Sequence, residues 1–83
     1  MLIPVKILVF LSKEELIEAR EVLTNTTTGL YVLSAIYGIE MWSSIPKPTK
    51  FGLRFKQSVD SGCLKGIKYK GKGSDNIAIY FVE

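Results

Sequence analysis

Between Pro48 and Gly62, the residues Phe51, Phe55 and Val59 recur at i, i+4 and i+8. That spacing stacks them on one stripe of an α-helix, which must then lie against a core. Pro48 suits the first helical turn, where its missing amide has no partner to lose. Gly62 is a natural left-handed stop. The pattern predicts a helix over 48–61. A polar and partly basic stripe runs along another face: Lys47, Lys50, Arg54, then Gln57 or Ser58, then Ser61. The approach through Ser43-Ser44-Ile45-Pro46-Lys47-Pro48 is a stiff turn, because each proline fixes its own φ and restricts its predecessor.

What flanks this helix narrows the fold. After it comes a hairpin: one strand over 64–70, a loop over 71–76, and a return strand over 77–82. Alternation sends Ile67 and Tyr69 one way and Lys68 and Lys70 the other. On the return strand, Ile77, Ile79 and Phe81 are expected on the core face. Before the helix, Leu30–Val32 reads as a short strand. Leu33–Tyr37 reads as little more than one helical turn, stopped by Gly38. Strand, short helix, stiff turn, longer helix and hairpin is the order of a winged helix-turn-helix. In such folds the second helix enters a nucleic-acid groove and the hairpin wing touches the backbone.

The first 28 residues add a strand and a helix. Leu2–Leu11 is rich in Ile, Val and Phe. Ile3, Val5, Ile7 and Val9 share one face and Leu2, Leu8 and Phe10 the other, so this strand is central or covered by another element or chain. It is too short to span a bilayer, and no cleavage site follows it. Ser12 with Glu15 three residues later forms a capping box, which opens a helix over 13–23. Leu16, Ala19 and Leu23, with Ile17 alongside, are its expected buried stripe. Glu14, Glu18 and Glu21 share its outer face. The expected fold class is therefore α/β: a winged helix-turn-helix-like part over 29–83 with an added N-terminal strand and helix, all one domain. At 83 residues, roughly 60–65% of the unfolded surface can be buried, so the core is thin.

Charge is distributed unevenly. Residues 29–83 hold eight basic side chains against four acidic ones, and all eight lie between 47 and 72. Residues 1–28 hold three basic against four acidic. A basic half points to an anionic partner such as DNA, single- or double-stranded. The expected contacts are Lys47, Lys50, Arg54 and Lys56 on the helix and Lys68, Lys70 and Lys72 on the wing. The expected protein interface is Ile3, Val5 and Ile7 with Glu14, Glu18 and Glu21.

With no histidine and one cysteine, a histidine base, a His/Cys zinc site, a Cys-His pair and an intrachain disulfide are excluded. No enzyme activity, metal or cofactor is expected. The lone Cys63 fits a reducing compartment, here the cytoplasm. The carboxylates on one helix lack a converging second element for a metal. Gly71-Lys72-Gly73-Ser74 lacks the spacing and the following helix of a phosphate loop. Trp42 reads as a core anchor between the short helix and the hairpin, or as a platform for stacking an unpaired base.

From Gly29 onward the chain resembles a small bacterial family known only as a domain of unknown function, frequent on mobile elements. The family pattern is G-x-x-F-x-L-x-x-L-F, read here as Gly29 to Tyr37 with Tyr31 as its leading aromatic, then W-x-x-I-P, then L-G-R-x-F-K-x-x-V-x-x-G, then a wing with G-K-x-S-x-N-x-x-x-Y. Here this reads Trp42-Ser43-Ser44-Ile45-Pro46, then the stretch from Phe51-Gly52 to Val59 and Gly62, then Gly71-Lys72-Gly73-Ser74-Asp75-Asn76 to Tyr80. Phe51-Gly52 stands for the family's L-G, and Leu53 stands where the pattern has Arg. The match covers about two thirds of the chain and omits residues 1–28. The family includes the small middle protein of staphylococcal cassette replication operons, encoded between a DNA polymerase and a helicase. The resemblance implies a non-catalytic accessory of mobile-element DNA replication, a partner of the polymerase in priming. The residues alone leave two other roles open: a dimeric DNA-binding transcriptional regulator, and a protein-only inhibitor or adaptor.

Overall fold

The computed structural model describes residues 10–83. The expected strand at Leu2–Leu11, with the interface residues Ile3, Val5 and Ile7, lies outside the described residues apart from Phe10 and Leu11. Those two are in neither helix nor strand. Four helices and a three-stranded antiparallel sheet follow: α1 (Lys13–Thr24), β1 (Gly29–Tyr31), α2 (Leu33–Tyr37), α3 (Ile39–Ser44), α4 (Pro48–Asp60), β2 (Ile67–Lys72) and β3 (Ala78–Val82). The fold class is thus mixed α/β. No helix among the described residues is long and apolar enough to cross a membrane.

Local chemistry sets the helix starts and stops. The Ser12 hydroxyl accepts from the Glu15 amide (3.2 Å), and the Glu15 carboxylate accepts from the Ser12 amide (2.9 Å). This closes the capping box and puts two acidic groups, Glu14 and Glu15, at the positive end of the α1 dipole. Gly38 separates α2 from α3 at φ 83° and ψ 159°, a combination essentially reserved to glycine. The helix α3 was not expected: the stiff turn begins only at Ile45, and Met41 and Trp42 sit on a turn and a half of helix before it. Pro48 opens α4, and Gly62 follows it at φ 86°.

The strands pair in the order β1-β3-β2, which places β3 in the centre. Tyr31 stands opposite Tyr80, and Tyr80 opposite Tyr69. The helices lie on one face of this sheet. Phe51, Phe55 and Val59 are buried, as the α4 periodicity requires, and they meet Leu33, Ile36 and Tyr37 of α2, Ala19 of α1, and Ile67, Tyr80 and Val82 of the sheet. A chain of rings runs through this core. Trp42 meets Phe51 edge-on at 6.2 Å, and Phe55 meets Tyr80 edge-on at 5.3 Å. Edge-to-face pairs of this kind contribute about 0.5–1.5 kcal/mol each beyond burial.

Three expectations about facing are corrected. On β3 it is Tyr80 and Val82 that enter the core, while Ile77 is 49% exposed and Ile79 and Phe81 point to the opposite face of the sheet. The strand is apolar at both parities, so alternation alone does not orient it; pairing and packing do. On α4, Ser58 is fully buried and does not belong to the polar stripe. Its hydroxyl donates to the Arg54 carbonyl (2.9 Å) and accepts from the Leu11 amide (3.0 Å), which tethers the entry to α1. On α1, Ile17 is exposed, and Val22 packs against the core beside Leu16 and Leu23.

Candidate nucleic-acid interface

The seven basic residues grouped by the sequence do not form one patch. Lys47 precedes α4 in the left-handed region (φ 52°), and Lys50 lies on its first turn; both are exposed. Arg54, one turn on, faces α1. Its two terminal nitrogens donate to the two Glu15 carboxylate oxygens at 2.6 and 2.9 Å, a bidentate pair on half-buried side chains. That fork pairing is the strong form of a charged hydrogen bond. The Arg54 guanidinium holds the Glu15 carboxyl below the usual carboxylate range, helped by the Ser12 amide and opposed by partial burial. Arg54 therefore acts as a clamp between α4 and α1. The sequence shows Glu15 only as a capping residue; its partner lies 39 positions away.

Lys56 is on the side of α4 that faces the hairpin. Its ammonium pairs with Asp60 at 2.9 Å and lies 4.6 Å from the centre of the Tyr69 ring. The Asp60 carboxylate, by its hydrogen bond, raises the Lys56 pKa.

The hairpin lysines are divided by a bulge. Tyr69 pairs with Tyr80, but the next pair is Gly71 with Ile79, so Lys70 is an extra residue in β2. Gly71 allows this at φ 105°. The bulge reverses the alternation. Lys72 pairs with Ala78 on the helix side, whereas Lys68 and Lys70 stay on the outer side. Lys68 pairs there with Glu83 at 3.3 Å, and Lys70 lies 5.8 Å from the Phe81 ring centre.

A groove of about 700 Å³ separates the start of α4 from the hairpin. Its apolar lining includes Trp42, Gly52, Leu53, Tyr69 and Ile77, and both Lys56 and Lys72 border it. Leu53 is 56% exposed along its helix wall. Trp42 is half-buried; it packs on Tyr37 of α2 and Phe51 of α4 and also borders the groove, so it is an anchor between helices more than to the hairpin. Glu14, Glu18 and Glu21 are exposed along α1, and none of the three lines this groove. Cys63 is a free, half-buried thiol that accepts from the Ser61 hydroxyl at 3.2 Å. Among the described residues, no group of acidic or sulfur ligands is placed to hold a metal ion.

No family model, no curated protein and no solved structure matches this chain.

Proposed function

We propose that this chain is a winged-helix module that binds DNA without catalysis of its own, through α4 and the adjoining hairpin. The observation that carries the reading is the groove between those two elements, with Lys47 and Lys50 at the start of α4 and Lys56 and Lys72 at its border. The element order and the β1-β3-β2 sheet support the winged-helix assignment. Each phosphate neutralised by a lysine releases condensed counterions, so affinity falls steeply as salt rises. Arg54 supports this surface indirectly by fixing α4 against α1.

The biological setting we infer rests on the resemblance of residues 29–83 to the mobile-element family. In that setting the chain is an accessory of DNA replication that brings a polymerase to its template. The small size of the domain is consistent with leaving chemistry to a larger partner.

The test compares two double variants by fluorescence anisotropy across a salt series, with single- and double-stranded oligonucleotides. Lys50→Ala with Lys72→Ala removes one cation from the start of α4 and one from the border of the groove. It is expected to lower affinity and to reduce the slope of log K against log salt by about 2. Lys68→Ala with Lys70→Ala removes two outer-face cations and is expected to leave the slope closer to wild type. Wild-type affinity in the first variant would overturn the site.

A further inference from the structure

The outer face of the sheet carries more apolar side chains than a face away from the core usually does. An antiparallel sheet packed on one side normally alternates apolar inside and polar outside. Here Leu30, Phe81 and Lys68 form one row across the three strands. Ile79 lies next to Phe81 along β3, and Lys70 sits over the Phe81 ring. The helices occupy the other face, where Ile67, Tyr80 and Val82 are buried. Leu30 is 64% exposed, Phe81 and Ile79 are half-buried, and none of the three belongs to the core that the helices share with the sheet. The face is therefore an apolar strip edged by two cations.

The outer stripe of α1 has the complementary character. Glu14, Ile17, Glu18 and Glu21 recur at helical spacing, all exposed, so that three carboxylates surround one isoleucine. None of the three is in a salt bridge among the described residues. Glu14 and Glu18 are one turn apart, about 6 Å along the axis. Lys68 and Lys70 are two strand residues apart, at most about 6.8 Å. A helix laid along β2 thus brings the two carboxylates to the two ammonium groups, with Ile17 over the strip of Phe81 and Leu30.

We propose that the chain associates with a second copy of itself head to tail, the outer stripe of α1 in one copy docking on the outer sheet face of the next. Charge complementarity selects this occupant, since the same molecule carries both halves of the contact. The contact is heterologous, so it builds strings or rings and not a twofold dimer. Lys68 exchanges Glu83 for a carboxylate of the neighbouring copy; an exposed pair of that kind is weak and exchanges readily. The surface differs from the groove proposed for DNA, and the two readings stand or fall separately.

Sedimentation velocity of the whole chain from micromolar to millimolar concentration tests the contact. Wild type is expected to show a mean mass that rises with concentration in low salt and falls as salt is added. Glu14→Lys with Glu18→Lys makes both surfaces basic; Lys68→Glu with Lys70→Glu makes both acidic. Each is expected to weaken association about tenfold or more through like-charge contact. An equimolar mixture of the two is expected to associate again, because each reversed surface then meets its opposite. Circular dichroism checks that both variants fold; if one does not, Ile17→Ser, already exposed, replaces it and is expected to weaken association. A wild type that stays monomeric throughout, or folded variants whose mixture remains monomeric, overturns the proposal and leaves the face to a different partner.

Discussion

Ser58 and Tyr80 are both fully buried, yet their hydroxyls stand in opposite positions. The Ser58 oxygen is satisfied twice, by the Arg54 carbonyl and the Leu11 amide. Ser58→Ala leaves the Leu11 N–H without its acceptor. An orphaned buried donor costs about 1–3 kcal/mol, and for a domain of this size each kcal/mol shifts Tm by roughly 4–8 °C. A fall in Tm of several degrees, read by circular dichroism, is therefore expected. The Tyr80 hydroxyl, like that of Tyr37, is buried without a hydrogen-bond partner among the described residues. Tyr80→Phe removes a polar group that gains nothing from the fold and keeps the ring contacts with Phe55 and Tyr69. The same melting experiment is expected to show Tm unchanged or raised by a few degrees. A marked loss would mean that the hydroxyl has a partner.

At the scale of elements, what could be read from the sequence was what neighbouring residues decide among themselves. The Ser12–Glu15 box, the Phe51/Phe55/Val59 stripe and the glycine stops at 38 and 62 need only a few residues of context, and each stands where its spacing puts it. Gly38 shows how strict that local rule is. Its backbone angles are nearly closed to other residues, although a Cβ there would meet no atom within 4 Å. Gly38→Ala is therefore a test of backbone strain alone. It is expected to cost about 1–3 kcal/mol, seen as a lower denaturation midpoint with an unchanged slope. The facing of β3 was not legible, because Ile77-Ala78-Ile79-Tyr80-Phe81-Val82 is apolar at both parities. Only the pairing of Tyr80 between Tyr31 and Tyr69 settles it. The division of the lysines was hidden for the same reason: the bulge at Lys70 turns on a register that no local pattern encodes. Nor could spacing show that Arg54 reaches across to Glu15.

For the whole molecule, these groups bound the pH range in which the domain is stable, one from the acid side and the others from the alkaline side. Glu15 is the acid limit. Arg54 lowers its folded pKa, so the unfolded chain binds the proton more tightly. The contribution of the pair is complete above the unfolded value, about 4.3, and is lost as pH falls through the lower folded value. Tyr37 and Tyr80 set the other limit. Burial raises both phenols above their usual value, reinforced at Tyr37 by Glu18 and Glu15 and at Tyr80 by Tyr69 and Asp60. Here the folded state holds the proton more tightly. Stability is complete below about 10, the unfolded value, and falls as pH rises beyond it. Lys56, its pKa raised by Asp60, acts with the same sign. A plot of Tm against pH is thus expected to be flat between about 4.3 and 10 and to fall on both sides. The limbs are separable by substitution. Glu15→Gln lowers the plateau by removing the charged pair but makes the acid limb shallower, since the titrating group is gone. Tyr37→Phe with Tyr80→Phe leaves the acid limb alone and makes the alkaline limb shallower. An alkaline limb as steep in the double phenylalanine variant as in wild type would show that other groups, and not these two buried phenols, set the upper limit.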